Sequence, residues 1–276
     1  MNAKLPCLFA AAALAPIVAL ADTAKAPVSA AALTISIERG PRPHEPPPET
    51  NSRGEVQMHP RWAVTLDATG RVIALESTDA PPVASIRTPL ENAIRGWHFQ
   101  PGTVDGRPAE TRTTLALDVS LVEHGADQFA LRVDDARTGA DLPVKGMHGA
   151  YPKYPHDAVS HKKQGIVVLR VDYDASGHVA GARLNDGAPE VDAALVRTAA
   201  ESAKRWTFTP EVVGGRGLAG SSIVPICFEL HLEHDQTTNE GCSWHPPSGH
   251  DGLGDGAIVA IDPAARLDTN VVGSTL

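Results

Sequence analysis

Two short runs constrain this chain more than any other feature: Trp97-His98-Phe99-Gln100-Pro101 and Trp206-Thr207-Phe208-Thr209-Pro210. Each follows a segment with helical periodicity and precedes a glycine-arginine pair, Gly106-Arg107 in one case and Gly215-Arg216 in the other. The interval from 97 to 206 equals that from 106 to 215, and the alternating strands that follow end in step at Leu121 and Leu230. Trp97, Trp206 and Phe208 read as core anchors, because only 4% of the chain is aromatic and these rings fall on buried faces. The closing proline stops each helix from resuming. Repetition at one interval reads as an internal duplication. With two copies rather than many, each must enclose its own small core.

The expected fold class is α+β: two tandem small units, each an antiparallel sheet of about three strands packed on one or two helices. In the first unit, residues 56–122, Trp62, Val64 and Leu66 alternate with polar neighbours, the period of a strand buried on one face. Asp67-Ala68-Thr69-Gly70 supplies a turn, and residues 72–75 a returning strand. Thr88, Pro89 and Glu91 read as N-cap, first helical residue and capping box of a helix whose apolar face holds Leu90, Ala93, Ile94 and Trp97. Asp105-Gly106 opens a loop, and Leu115, Leu117, Val119 and Leu121 form the last strand. Residues 123–150 read as a polar connector with a strand at 129–133.

The second unit, residues 151–231, repeats this order. Val167, Leu169, Val171 and Tyr173 alternate, and Asp174-Ala175-Ser176-Gly177 mirrors the earlier turn. A helix from about Pro189 places Val191, Leu195, Ala199, Ala203 and Trp206 on one face, with Glu190 and Asp192 in its first turn and Lys204 and Arg205 in its last. The glycine-rich 214–220 lacks a Gly-Lys-Ser/Thr ending and sits between helix and strand, so it reads as a hairpin-like connection rather than a phosphate loop.

The remaining segments bound compartment and chemistry. Residues 1–21 read as a secretory signal with Lys4 in the n-region and cleavage after Ala21, so a periplasmic location is expected. The rival is inner-membrane anchoring through the same segment, but the apolar run is short and interrupted by Pro6 and Pro16. Residues 22–55 form a leader with a short strand where Leu33, Ile35 and Ile37 alternate, then a proline-rich linker. The formal charge of −9 argues against nucleic acid as a partner. Cys227 and Cys242 are the two cysteines beyond the signal, and one disulfide is the simplest reading for an exported protein. Free thiols and a zinc site are the alternatives. In the last strand Val224, Ile226, Phe228 and Leu230 share the core parity, so Cys227 points to the other face, where a bond to Cys242 would pin the tail, residues 232–276. The 12 histidines include His231, His234, His245 and His250 near Cys242, but their spacing fits no ligand pattern, and no metal or cofactor is expected. No nucleophile-base pair or carboxylate dyad stands out, so catalysis is not expected.

Tyr154-Pro155, Ala158, Gly165 with its valine-rich strand, Asp174, Gly177, the alanine-rich helix, Trp206-x-Phe208-x-Pro210 and Gly215 together resemble the C-terminal domain of TonB proteins. Residues 62–121, with Trp97, Phe99 and Pro101, resemble the same domain without its leading Tyr-Pro and helix. The resemblance implies a small antiparallel three-stranded sheet backed by helices. It also implies a partner: TonB reaches from the inner membrane across the periplasm to the TonB box of an outer-membrane transporter, passing on energy from the proton gradient. Departures from the pattern are the cleavable N-terminus, the short proline segment, the second copy and the tail.

Binding by strand addition to a sheet edge is the leading functional reading. The expected edge is the last strand of the second unit: Ser222, Ile223, Val224, Pro225, Ile226, Cys227, Phe228, Glu229 and Leu230. Pro225 suits an edge because it has no N–H to donate, and equally suits blunting that edge against unwanted pairing. The expected partner is an envelope protein such as a TonB-dependent outer-membrane receptor. The alternative is a non-catalytic structural or dimerisation module of the cell envelope, whose duplicated units pair with each other and stabilise a homodimer or an envelope complex. Mass spectrometry of the exported chain is expected to find an N-terminus at Asp22 and a Cys227–Cys242 bond.

Overall fold

The computed structural model describes residues 33–38, 53–78, 84–124, 129–231, 244 and 258–276. The signal segment, most of the proline-rich linker, Cys242 and the tail histidines His234, His245 and His250 lie outside the described residues. After β1 (Leu33–Glu38), the first unit opens with β2 (Gln57–Met58), β3 (Arg61–Leu66) and β4 (Val72–Ser77). β3 and β4 pair antiparallel through the expected turn. There the Asp67 carboxylate accepts bonds from Thr69 N at 2.8 Å, Thr69 Oγ1 at 2.6 Å and Arg71 N at 3.1 Å. These donors, the Thr69 hydroxyl foremost, hold its carboxyl below the ordinary range.

The helix α1 (Ala84–Gly96) corrects the expected start. Thr88 and Pro89 do not open it; Pro89 lies inside. A proline in a helix interior loses one bond and costs ~3 kcal/mol. The extra turn is stabilised because Ile86 packs against the core beside the fully buried Leu90 and Ile94, extending the apolar stripe by one position. β5 (Phe99–Gln100) follows, then a tight hairpin of β6 (Thr103–Val104) and β7 (Arg107–Pro108), whose Asp105 and Gly106 both take positive φ. The long strand β8 (Thr111–Glu123) pairs with β3 on one side and with β9 (Phe129–Gly139) on the other. The connector is thus more ordered than its polarity implies, because β9 runs to Gly139 rather than ending at 133.

The second unit comprises α2 (His156–Ser160), β10 (Gly165–Tyr173), β11 (Val179–Leu184), α3 (Ala193–Ala203), a hairpin of β12 (Val212–Val213) and β13 (Arg216–Gly217), and β14 (Gly220–His231). Here too the helix start differs: Asp192 is the N-cap, accepting from Ala194 N at 2.8 Å, rather than a first-turn residue. β10 pairs antiparallel with both β11 and β14, as β3 does with β4 and β8. The Asp174 turn repeats the Asp67 bonds with Ser176 N at 2.8 Å, Ser176 Oγ at 2.6 Å and His178 N at 3.0 Å. Each unit has its own core, one around Trp62, Leu90, Ile94, Trp97 and Phe99, the other around Leu195, Trp206, Phe208 and Phe228.

The turn and the Trp-x-Phe run turn out to be one device. Phe99 N donates to Gly70 O at 3.0 Å, and Phe208 N donates to Gly177 O at 2.8 Å. Gly70 at φ +83° and Gly177 at φ +88° leave no room for a side chain: a Cβ would stand 1.7 Å from Phe99 O and 2.0 Å from Phe208 O. Gly70→Ala or Gly177→Ala is expected to destabilise the fold by ~2 kcal/mol or more, since the left-handed backbone alone costs ~1–2 kcal/mol before the clash with a carbonyl is counted. Urea unfolding of the full chain would measure it.

Candidate partner-binding edge

Alternate residues of a strand direct their N–H and C=O to opposite sides. In β14, Ser221 O accepts from Ile261 N at 2.9 Å on one side, and Leu230 N donates to Gln164 Oε1 at 2.7 Å on the other. Even-numbered residues therefore face β10, and Ser221, Ile223, Pro225, Cys227, Glu229 and His231 face outward.

The outward side is not vacant, which corrects the expectation of a free edge. At its start Ser222 and Ile223 pair with β15 (Val259–Ala260) of the tail. From Ile226 to His231 it pairs in parallel with β1, Leu33 opposite Ile226 and Glu38 opposite His231. The strand 222–230 is thus hemmed on both sides. Its outer backbone groups would otherwise stand open, and two segments distant in sequence take them up. Pro225 falls between the two occupants and is in neither register. Its nitrogen faces outward, so the missing donor is on the side where a further strand adds.

The side chains of β14 obey the expected parity. Val224, Ile226 and Phe228 lie in the core, and Tyr154 meets Phe228 edge-on at 5.4 Å. The Tyr154 hydroxyl donates to Lys163 O at 2.5 Å, and burial, with Glu229 nearby, pushes its pKa up to about 12. Pro155 precedes α2, whose Ala158 is buried in the same core. Trp206 Nε1 donates to Ala150 O at 2.9 Å, and Phe208 stacks on Tyr173 at 4.7 Å. Gly165 takes a φ of +142° against Val191. Cys227 is buried on the opposite face and is disulfide-bonded; Cys242, its expected partner, lies outside the described residues. On that face Trp244 packs against Ile166, Val168 and Ile223, so a tail residue two positions from Cys242 covers it.

The first unit closes its equivalent edge differently. The outer side of β8 is taken by β9 through an antiparallel ladder from Thr114 to Glu123 whose register shifts between Asp118 and Val119, and by β12 of the second unit at Thr111 and Arg112. Residues 273–276 in turn bond to Leu131 and Val133 of β9. Among the described residues, the outer edge of the second unit is closed by β15 and β1, neither of them a hairpin neighbour, whereas most of β8's outer edge is closed by its hairpin partner β9.

Several residues with no recognisable sequence signal bind these pieces together. Glu211, 6% exposed, accepts from Thr113 Oγ1 at 2.6 Å, Ala264 N at 2.6 Å and Ala265 N at 3.2 Å, joining the second unit to β8 and to the tail. The tail continues into β16 (Arg266–Leu267), which pairs with β5. Beneath β2, the fully buried Asp118 meets His59 Nδ1 at 2.6 Å and an Arg137 guanidinium nitrogen at 2.8 Å, and Arg61 pairs with Asp141 at 2.7 Å. Arg137 also reaches Asp135 at 2.6 Å, so one guanidinium bridges two buried carboxylates. Among the described residues, no three His, Cys, Asp or Glu side chains are grouped to hold a metal ion, and no helix is long and apolar enough to cross a membrane.

The order of β10, β11, α3 and β14, with the Tyr154 segment leading, defines a small α+β domain. Residues 150–230 match the family described as Gram-negative bacterial TonB protein C-terminal, so the second unit is a domain of that family. Protein TonB of Xanthomonas campestris pv. campestris is 34% identical over 93 residues, covering 34% of this chain and 41% of that protein. Protein tonB2 of Pseudomonas aeruginosa is 33% identical over 85 residues, 31% of each chain. The chain thus spans less than half the length of these relatives. No solved structure matches it.

Glu211→Ala would leave the Thr113 hydroxyl and the Ala264 and Ala265 N–H groups without their acceptor. A loss of about 2–3 kcal/mol in unfolding free energy is expected, with faster exchange of the Ala264 and Ala265 amides by nuclear magnetic resonance.

Proposed function

We propose that the chain is a TonB-like, non-catalytic periplasmic module whose second unit binds an envelope protein by taking an extended segment on the outward groups of Cys227, Glu229 and His231. A TonB-dependent outer-membrane receptor is the partner class this reading favours, through its TonB box. One observation carries it: this side already accommodates an added strand, β1, from far outside the unit. In the first unit the same side is filled by β9, so that unit serves as a platform and not as a second binding site. The occupied state of β14 also favours a second reading, a structural or dimerisation module whose edge is closed for good.

Titrating a TonB-box peptide in large excess against the isotope-labelled full chain separates the two. Binding is expected to shift the amides of Cys227, Glu229 and His231. Glu229→Pro, which removes an outward N–H without touching the β10 ladder, is expected to weaken that binding about five- to tenfold, the worth of one main-chain hydrogen bond. Absence of any shift at saturating peptide supports the structural reading instead.

A further inference from the structure

We propose that β1 is a displaceable occupant of the partner edge, so that the chain holds its own binding site shut until the segment 33–38 leaves. This rests on the strand-addition reading above and adds a regulatory step to it.

The inference comes from how β1 is held. Among the described residues it is the terminal strand of its sheet, bonded on one side, to the Ile226–His231 stretch of β14. Among the described residues, β14 is the one element against which it makes an extended contact. The pairing is parallel, the geometry that is slightly less stable per residue. Neighbouring strands are secured better. β10 is bonded on both sides and buried on both faces. β15 belongs to a tail that is fixed further along by Glu211 and by the β16–β5 pair.

Sequence and closure point the same way. β1 lies outside residues 150–230, the stretch that matches the family. The segment after it, residues 39–52, carries Pro41, Pro43, Pro46, Pro47 and Pro48, which lack the N–H needed to extend a ladder. An incoming strand that takes the outward groups of Cys227, Glu229 and His231 must remove β1, because one row of donors and acceptors cannot serve two strands. The edge is therefore protected from indiscriminate pairing, yet is satisfied by a segment that a better strand replaces.

The test compares the unmodified full chain with the double variant Thr34→Pro and Ile35→Pro. Adjacent residues point their N–H groups to opposite sides, so one of the two prolines removes a donor to β14 whichever way β1 faces. The Cys227 and Glu229 amides, which face β1, are expected to exchange roughly tenfold faster or more in the variant. The Phe228 and Leu230 amides, which face β10, are expected to keep their rates and so report an intact fold. A synthetic peptide of residues 31–40 is expected to bind the variant at least about tenfold more tightly than the unmodified chain and to restore the slow exchange. A second variant leaves the β1 sequence untouched: a protease site placed within residues 44–48 is cut, and the released segment is expected to wash away and open the same two amides. Unchanged exchange at Cys227 and Glu229 in both variants, or equal peptide affinity for the open and unmodified chains, overturns the proposal. If the 31–40 peptide reseals the open variant while a TonB-box peptide fails to bind it, the displaceable strand stands and the assignment of the partner falls.

Discussion

The outer row of hydrogen-bonding groups on the closing strand of each unit is the constraint around which the rest of the architecture is arranged. A backbone N–H or C=O left without a partner in a buried setting loses several kcal/mol relative to water, so each row has to be met by chain, solvent or another molecule. In the first unit β8 turns directly into β9 and the row is met by its own hairpin, which residues 273–276 then cover in turn. In the second unit, among the described residues, the row of β14 is shared between a tail strand and a leader strand. Two units with the same internal order thus end in different states, one sealed mostly by its own hairpin and the other by segments distant in sequence.

Beneath that difference lies a shared frame. A carboxylate-capped turn presents a glycine whose missing side chain lets the Trp-x-Phe run dock by its main chain, at Gly70 and Phe99 and again at Gly177 and Phe208. The docking fixes where the chain emerges from the helix. It therefore fixes the tight hairpins at Asp105-Gly106 and Gly214-Gly215 that launch the closing strands. Because β12 adds to β8 and the Glu211 carboxylate gathers two tail amides and the Thr113 hydroxyl, the units are joined by main-chain pairing as well as by side chains.

Features set by local periodicity were legible before any coordinates. The alternation of Val167, Leu169 and Val171, the parity of β14, the Asp-x-x-Gly turns and the burial of Trp97 and Trp206 are all properties of a few neighbouring residues. Helix starts were read less well, because the capping signal at Thr88-Pro89 competed with an apolar stripe that begins at Ile86. What stayed hidden was non-local. The alternation of Leu33, Ile35 and Ile37 announces a strand but carries no address, so its pairing with Ile226 and the residues that follow could not be inferred. Nor does a lone Glu211 after Pro210 reveal that it will be buried among donors from β8 and the tail. The polar residues of the connector likewise disguised how far its strand runs beyond Val133, since Asp135 and Arg137 are partnered with each other and Arg137 also with Asp118.

Pro225 has a mechanical meaning in this setting. A proline has no N–H to donate, so the outer ladder of β14 is interrupted there. Because that residue sits between the tail strand and the leader strand, fraying that starts at Ile226 has no rung by which to reach Ile223. Departure of β1, as proposed, would therefore leave the tail fastened across the other half of the outer seam.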